Sequence, residues 1–185
     1  RIREAQEGES ITTLDEVERQ LDSSMMVIAD SEKPLVVAGI MGSVDAEVDE
    51  NTKDLVLESA WFHPGKVRAT ARKLGLHTDS SQRFSRNVDP QGLDYAAQRA
   101  IDLIIETAGG SVNPDFVSLG EAPRGERTIE IRGAYVERVC GFDIAPDSLI
   151  EAWVRLGFSV QGEDPWQVTV PSFRSEVDRP IDLVE

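Results

Sequence analysis

The sequence predicts an α+β protein in which a mixed β-sheet with flanking helices forms a first unit, residues 1–122, and a smaller α/β unit follows, residues 123–185. Short β-branched stretches bounded by turn residues, such as Met25–Asp30 and Leu35–Ile40, indicate strands. Longer stretches with apolar residues every three or four positions indicate helices. The segment Glu121–Glu126 contains Pro and Gly but few apolar residues, which indicates a linker between the two units.

Composition and charge are typical of a soluble globular protein and exclude several classes. Hydrophobic residues make up 40% of the chain and charged residues 29%. The net charge of −15 argues against a surface that neutralises many phosphates, so we expect any contact with nucleic acid to be local and none with DNA. A single cysteine, Cys140, excludes a disulfide framework and a Cys-rich metal site. No stretch resembles a secretory signal or a membrane span, and we expect a cytoplasmic protein without a membrane partner.

Strands and turns dominate the prediction for the start of the first unit. Residues 1–22 indicate a short β-hairpin region, and Met25–Asp30 and Leu35–Ile40 are expected to pair as a second hairpin. The glycines of Gly39–Ser43 permit a positive φ or a close backbone approach. A tight bend is favoured there over a phosphate cradle, because no Gly-Lys-Ser/Thr sequence follows.

One carboxylate gives the strongest functional signal in the chain. Glu58 interrupts the apolar segment Leu55–Phe62, which is predicted to be a central strand. A carboxylate is costly to bury unless it is hydrogen-bonded or paired. We therefore expect a small polar pocket over a sheet, with Glu58 and Thr78 as its polar groups.

The same residues also admit purely structural interpretations. Glu58 could form an ion pair with Arg72 or Arg83. Thr78 could cap a short helix, which would not exclude a role in a pocket. The two histidines have no Cys or Ser partner at a suggestive spacing and are expected at the surface or behind the residues that line a site. No catalytic residue is assigned.

Two helices and a further strand are predicted around and after this segment. Pro64 begins a helix that ends at Gly75, and a second helix runs from Asp89-Pro90 to about Ala108. The segment Val112–Leu119 is predicted to be a strand. The first helix has a basic polar side: Lys66, Arg68, Arg72 and Lys73. The second helix has an apolar stripe that is expected in the core: Leu93, Ala96, Ala97, Ala100, Ile101 and Ile104.

The unit after the linker is predicted to be winged-helix-like in the order of its elements. A strand, two helices and a β-hairpin follow one another. The predicted elements are the strand Arg127–Ile131, the helices Ala134–Cys140 and Asp147–Leu156, and a hairpin of Phe158–Gln161 with Trp166–Val170.

The stretch LVLESAWFHPGKVRATARKLGLHTDSSQRFSRNVDP, residues 55–90, resembles the editing domain of bacterial phenylalanyl-tRNA synthetase beta subunits. That family has roughly N-V-L-L-E-x-A-x-F-x-P, followed by R-x-x-G-L-x-T-D/E-A/S-S-x-R-F-E-R-G-V-D-P. The second unit resembles the module that follows in the same subunit, through Leu156-Gly157-Phe158, Val170–Arg174 and Asp182–Glu185. Asn87 stands where the family has Gly, and Asn tolerates the positive φ that such a turn requires.

The resemblance implies an editing site that hydrolyses tyrosine attached in error to tRNA. An apolar phenylalanine site excludes tyrosine only about 10²-fold, because tyrosine merely adds a hydroxyl, and synthetases that need more use a second, hydrolytic site. A carboxylate that accepts a hydrogen bond from the phenol would select tyrosine, and Glu58 matches that position. Thr78, Ser80, Gly39 and Gly42 match the remaining pocket positions of the family.

The resemblance also implies a metal ion, a cosubstrate and partners. Glu176, Asp182 and Glu185 stand where the family binds Mg²⁺ shared with the alpha subunit, and oxygen ligands suit that ion. A solvated acidic helix start is the alternative for these three residues. The complete enzyme would ligate phenylalanine to tRNA with ATP, as a heterotetramer of two alpha and two beta subunits.

Both ends of the chain indicate a piece of a longer polypeptide. The chain starts at Arg1, and a histidine of the family's editing domain would precede it. We therefore expect an incomplete pocket and an inactive isolated chain. The alternative function is a non-catalytic structural or nucleic-acid-binding module, which the acidic composition disfavours.

Overall fold

A computed structural model describes residues 1–121, 123 and 127–185 of the protein. Helices and antiparallel sheets occur together, which confirms the predicted α+β class. Two compact units are present, Arg1–Val88 and Asp89–Glu185. None of the helices in the described ranges is long and apolar enough to cross a membrane.

The predicted linker Glu121–Glu126 lies mostly outside the described residues. The predicted division of the chain into residues 1–122 and 123–185 is therefore not tested and stays a prediction. The division into compact units falls between Val88 and Asp89, just before the helix that the sequence predicts after Pro90.

Short antiparallel strands form the first part of unit Arg1–Val88, and they confirm both predicted hairpins. The second hairpin pairs Val27 with Val37 and Ile28 with Val36. The hydrogen-bonded order of the larger sheet is β1-β4-β5-β6, and β2 pairs with β3. The strands are β1 (Ile2–Glu4), β2 (Ser10–Thr12), β3 (Glu18–Gln20), β4 (Met26–Ala29), β5 (Pro34–Val37) and β6 (Met41–Gly42).

Two helices follow in the same unit, and their ends lie where the sequence places them. Helix α1 (Pro64–Leu74) has Pro at its first position, where a missing N–H costs nothing, and ends at Gly75 with φ of 66°. Its Val67 and Ala71 are buried in one core with strands β4 and β5. Helix α2 (Asp79–Ser85) packs beside α1, with Phe84 edge-to-face on Phe62 at 4.9 Å between ring centroids.

The predicted strand Leu55–Phe62 is wrong: this segment is not part of any sheet formed by the described residues. Only its last residue, Phe62, is buried, and Val56 is fully exposed. An isolated strand is unstable because its backbone N–H and C=O groups need a neighbouring strand. The apolar pattern was sufficient to predict a strand but carries no information about a pairing partner.

The second unit begins with a helix whose predicted core stripe is also wrong. Asp89 caps a 3₁₀ turn by accepting from the Gln91 N–H at 2.9 Å, and α3 (Leu93–Ala108) follows. No residue of α3 is buried. The predicted strand Val112–Leu119 is likewise not a strand, and Phe116 there is exposed.

The remainder of this unit has the predicted winged-helix-like order of strand, two helices and hairpin. The sheet order is β7-β9-β8, and Val168 at its centre is fully buried. Trp153 and Trp166 meet edge-to-face at 5.7 Å, and the Trp153 Nε1–H donates to the Leu183 carbonyl at 2.9 Å. The elements are β7 (Arg127–Ile131), α4 (Gly133–Cys140), α5 (Pro146–Arg155), β8 (Ser159–Gln161) and β9 (Trp166–Val170).

Candidate functional site

One cavity of about 410 Å³ in unit Arg1–Val88 contains all the predicted pocket residues in its wall. The structure thus brings together positions that are up to 41 residues apart in the sequence, between Gly39 and Ser80. Predicted residues in the wall are Gly39, Gly42, Glu58, Thr78 and Ser80. The rest of the wall is mostly apolar: Leu14, Val36, Ile40, Met41 and Phe84, with Asp79.

The bend between β5 and β6 forms one side of this cavity, and Gly39 makes the bend possible. Gly39 has φ of 69°, in the left-handed region that favours glycine. A Cβ atom at Gly39 would lie 2.8 Å from Phe62 Cδ2 and 3.2 Å from Val67 Cγ2. At Gly42 a Cβ atom would meet only Leu14, at an ordinary 3.5 Å. Gly39 is therefore required by the backbone and by the packing, whereas Gly42 is not.

Thr78 joins helix α2 to this bend through its side chain. The Thr78 hydroxyl donates to the Ile40 carbonyl at 2.8 Å and accepts from the Ser81 N–H at 3.0 Å. The Ser81 hydroxyl in turn accepts from the Thr78 N–H at 3.0 Å, which completes a capping box. The capping role that the sequence left open for Thr78 is confirmed. Because the same hydroxyl binds the bend, Thr78 also fixes the position of the cavity wall.

Glu58 lines the cavity from the segment before α1, which has no regular secondary structure, and its carboxylate has no partner among the described residues. No hydrogen bond or ion pair joins it to another residue of the described ranges, so the alternative ion pair with Arg72 or Arg83 is not formed. Glu58 is solvent-exposed as a whole, but the protein atoms crowded around its carboxyl group partly desolvate it. This desolvation raises the pKa of Glu58 above its ordinary value.

The histidines lie outside the cavity wall, as the sequence predicted. His63 is exposed, and its Nδ1 accepts from the Gly65 N–H at 3.1 Å, which caps α1. His77 is exposed in the turn between the helices. Neither contributes to the wall, and we assign no nucleophile.

Sequence reasoning missed one contributor to this cavity, Leu14. Leu14 forms part of the wall from the turn of the first hairpin, and its N–H donates to the Gly42 carbonyl at 3.0 Å. Nothing in the local sequence pattern indicates such a contact. Outside this cavity, Asn87 has φ of 73°, which confirms the turn expected there, and its side chain accepts from the Trp61 Nε1–H at 2.6 Å.

The predicted magnesium ligands do not form a group in this structure. Asp182 accepts from the N–H groups of Asp178 and Arg179 and pairs with the Arg179 guanidinium, which together lower its pKa to about 2. Glu176 pairs with Arg174. Across the described residues no cluster of three His, Cys, Asp or Glu side chains could hold a metal ion. The site of Glu176, Asp182 and Glu185 stays a prediction.

Two domain families match the chain, one for each part of it. The B3/4 domain matches residues 1–109, and the tRNA synthetase B5 domain matches residues 129–185. The phenylalanine–tRNA ligase beta subunit of Moorella thermoacetica is 45% identical over 184 residues, and that of Carboxydothermus hydrogenoformans is 44% identical over 185. Both matches cover 100% of this chain and 23% of the relative. The chain therefore belongs to the B3/4 domain family, and over its whole length it is similar to phenylalanine–tRNA ligase beta subunits, of which it spans 23%.

Proposed function

We propose that this chain works within a cytoplasmic phenylalanine–tRNA ligase, where its cavity hydrolyses tyrosine attached in error to tRNA. The complete ligase would use ATP and Mg²⁺ and would contain two alpha and two beta subunits. Residues 1–122 would form part of its editing domain, and residues 123–185 the module that supports the alpha subunit. The observation that carries the proposal is the carboxylate of Glu58, which has no partner among the residues that the structure describes and lies in the wall of an otherwise mostly apolar cavity.

The cavity wall supplies what a tyrosine-selective site needs. The apolar residues can contact an aromatic ring, and the Glu58 carboxylate can accept a hydrogen bond from the phenol. A phenylalanine ester would desolvate the same carboxylate without replacing its hydrogen bonds, at a cost of about 1–3 kcal/mol. This penalty discriminates against the correct product, which is what an editing site requires.

We assign no side chain of the wall as a nucleophile. The nucleophile would therefore be a water molecule positioned in the cavity. The ester would be attacked at its carbonyl by water, and the tRNA hydroxyl would leave with a proton. Thr78 and Ser80 carry hydroxyl groups near the bend, and the Thr78 hydroxyl has one lone pair beyond the two hydrogen bonds it makes. These groups could orient the water or the ester.

A role in DNA binding is not supported by the second unit. Residues 127–185 contain six basic and eleven acidic side chains. A nucleic-acid-binding unit needs a basic surface to release counterions from phosphates. The winged-helix-like order of elements is therefore no argument for DNA as a partner.

Filling the cavity tests the proposal. Ser80→Trp in the complete ligase that contains this chain should abolish hydrolysis of Tyr-tRNA and leave aminoacylation with phenylalanine unchanged. Ser23→Trp, at an exposed position outside the cavity, serves as the matched control. Undiminished Tyr-tRNA hydrolysis by the Ser80→Trp ligase would show that editing takes place elsewhere.

A further inference from the structure

The basic residues of unit Arg1–Val88 are concentrated on one helical pair. Residues 59–88, which contain α1 and α2, carry six basic side chains and one acidic side chain, Asp79. The whole chain has a net charge of −15, so this pair of helices is a positively charged segment of a negatively charged protein. The six basic residues are Lys66, Arg68, Arg72, Lys73, Arg83 and Arg86.

Half of these basic side chains have structural partners. Lys66 pairs with Glu4, and Lys73 pairs with Asp22. The Arg68 guanidinium donates to the Ser85 carbonyl at 2.6 Å, which ties α1 to the end of α2. Their presence on the surface is explained by these contacts.

Arg72 also has no such partner among the described residues, but it lies outside both cavity walls. Arg83 and Arg86 have no such explanation either. Neither guanidinium makes a hydrogen bond or an ion pair with another residue in the described part of the chain. Both contribute to the wall of a second cavity of about 470 Å³, together with Gln82, Asn87 and Val88. Their spacing of three positions places them as neighbours at one end of α2.

The second cavity is adjacent to the first along α2. Asp79 belongs to both walls, at the start of the helix, and Arg83 and Arg86 lie towards its other end. A helix of this length spans about 10 Å, so a few nucleotides of an RNA strand could reach from one cavity to the other. The hydrogen bond from Trp61 to Asn87 holds the turn that closes this end.

We infer that Arg83 and Arg86 form a phosphate-binding subsite for the RNA strand whose terminal ester enters the first cavity. Guanidinium groups bind phosphate oxygens with paired, charge-assisted hydrogen bonds. This subsite would hold the backbone while the Glu58 side of the first cavity reads the amino acid. The inference rests on the proposed function, because it takes the first cavity as the place of ester hydrolysis.

The salt dependence of tRNA binding tests this inference without relying on catalysis. Deacylated tRNA would be titrated against the complete ligase at several salt concentrations, followed by fluorescence anisotropy. Each single-stranded phosphate contact contributes about 0.7 to the slope of log affinity against log salt. Arg83→Ala and Arg86→Ala should each reduce the slope by about that amount and weaken binding roughly tenfold. Lys53→Ala removes one positive charge from the same unit outside both cavity walls and should change the slope far less.

Kinetic measurements distinguish a phosphate-binding role of Arg83 and Arg86 from a purely structural role. Both arginine variants should raise KM for Tyr-tRNA and leave kcat and the preference for Tyr-tRNA over Phe-tRNA unchanged. Tyrosine methyl ester has no phosphate, so its hydrolysis should be the same in variant and parent. An unchanged salt slope, or equal losses with both substrates, would overturn the inference. Inorganic phosphate that competes as strongly as tRNA would overturn it in favour of a site for a free anion.

The two proposals can fail separately. If the first cavity is not the editing site, Ser80→Trp leaves Tyr-tRNA hydrolysis intact. If only the phosphate subsite is wrong, Ser80→Trp abolishes hydrolysis but Arg83→Ala leaves the salt slope unchanged. Arg83→Lys keeps the charge and loses the paired geometry, so it should restore most of the slope but only part of the affinity.

Discussion

The two sides of the candidate cavity are held in very different ways. On one side, the bend at Gly39 packs under Phe62, and the Thr78 hydroxyl bonds to the Ile40 carbonyl. On the other side, Glu58 lies on a segment without regular secondary structure, and its carboxylate has no partner among the described residues. The fold thus fixes the shape of the cavity from the side of the bend. It leaves the group that would recognise a ligand free to accept a hydrogen bond.

The largest effect on stability is expected from Gly39→Ala, which disturbs the bend on the tightly packed side of the cavity. The added Cβ would lie 2.8 Å from Phe62 at a backbone φ of 69°, so both packing and backbone are strained. We expect the free energy of unfolding to fall by about 2–4 kcal/mol. Urea unfolding of the chain measures this loss.

Gly42→Ala is the matched control for that substitution. It is in the same bend, but its Cβ would meet Leu14 at an ordinary 3.5 Å. We expect a change in unfolding free energy of less than about 1 kcal/mol. Equal losses for the two variants would mean that the close approach of Gly39 to Phe62 does not hold the bend.

Removing the Thr78 hydroxyl should have an intermediate effect. Thr78→Val keeps the shape of the side chain but loses the bond to the Ile40 carbonyl and the cap of α2. We expect a loss of about 1–2 kcal/mol in unfolding free energy. Thr78→Ser retains both hydrogen bonds and should recover most of the stability, and failure to recover would point to the methyl group instead.

The smallest effect is expected from Lys73→Met, on the pH dependence of the stability of unit Arg1–Val88. The Lys73 ammonium, with help from Ser24, lowers the pKa of Asp22 to about 2. A lowered pKa stabilises the folded state at pH values above the unfolded pKa of about 4, and this contribution is lost as the pH falls through 2. Lys73→Met should therefore lower the melting temperature slightly at pH 6, and the difference from the parent should shrink towards pH 2. A difference that grows on acidification would contradict the assignment.

Local signals in the sequence were sufficient to predict the side of the cavity that is formed by the bend at Gly39 and the helix α1. Pro64 and Gly75 delimit α1, and the glycines of the bend indicate its turn, because start, stop and turn residues act on their immediate neighbours. The five pocket positions were matched through a family resemblance, and the structure brings all five to one cavity. Their roles in recognition remain proposals.

Apolar patterns failed where the outcome depends on a distant partner. Leu55–Phe62 and Val112–Leu119 have the composition of strands, and α3 has an apolar stripe, yet none of them is covered as predicted. Periodicity shows which residues can be buried together but does not show what will cover them. Leu14 was missed for the related reason that its contact with the bend links two turns distant in sequence.

The side of the cavity that carries Glu58 leads to a prediction about pH dependence. Crowding raises the pKa of Glu58, so the carboxylate becomes protonated at a higher pH than an ordinary glutamate. Under the proposed function, a protonated Glu58 would no longer penalise phenylalanine esters, because no charge would be desolvated when they bind. The preference for Tyr-tRNA over Phe-tRNA should therefore fall as the pH is lowered through this pKa, and Glu58→Gln should remove that dependence.

The most direct test of the account is the ratio of Tyr-tRNA to Phe-tRNA hydrolysis by Glu58→Ala in the complete ligase. We expect slower hydrolysis of Tyr-tRNA, because its phenol loses an acceptor, and faster hydrolysis of Phe-tRNA, because no carboxylate is left unpaired. The melting curve should change little, since Glu58 is exposed and makes no ion pair with a described residue. A ratio that stays at its parent value, with both esters slowed alike, would contradict a recognition role for Glu58.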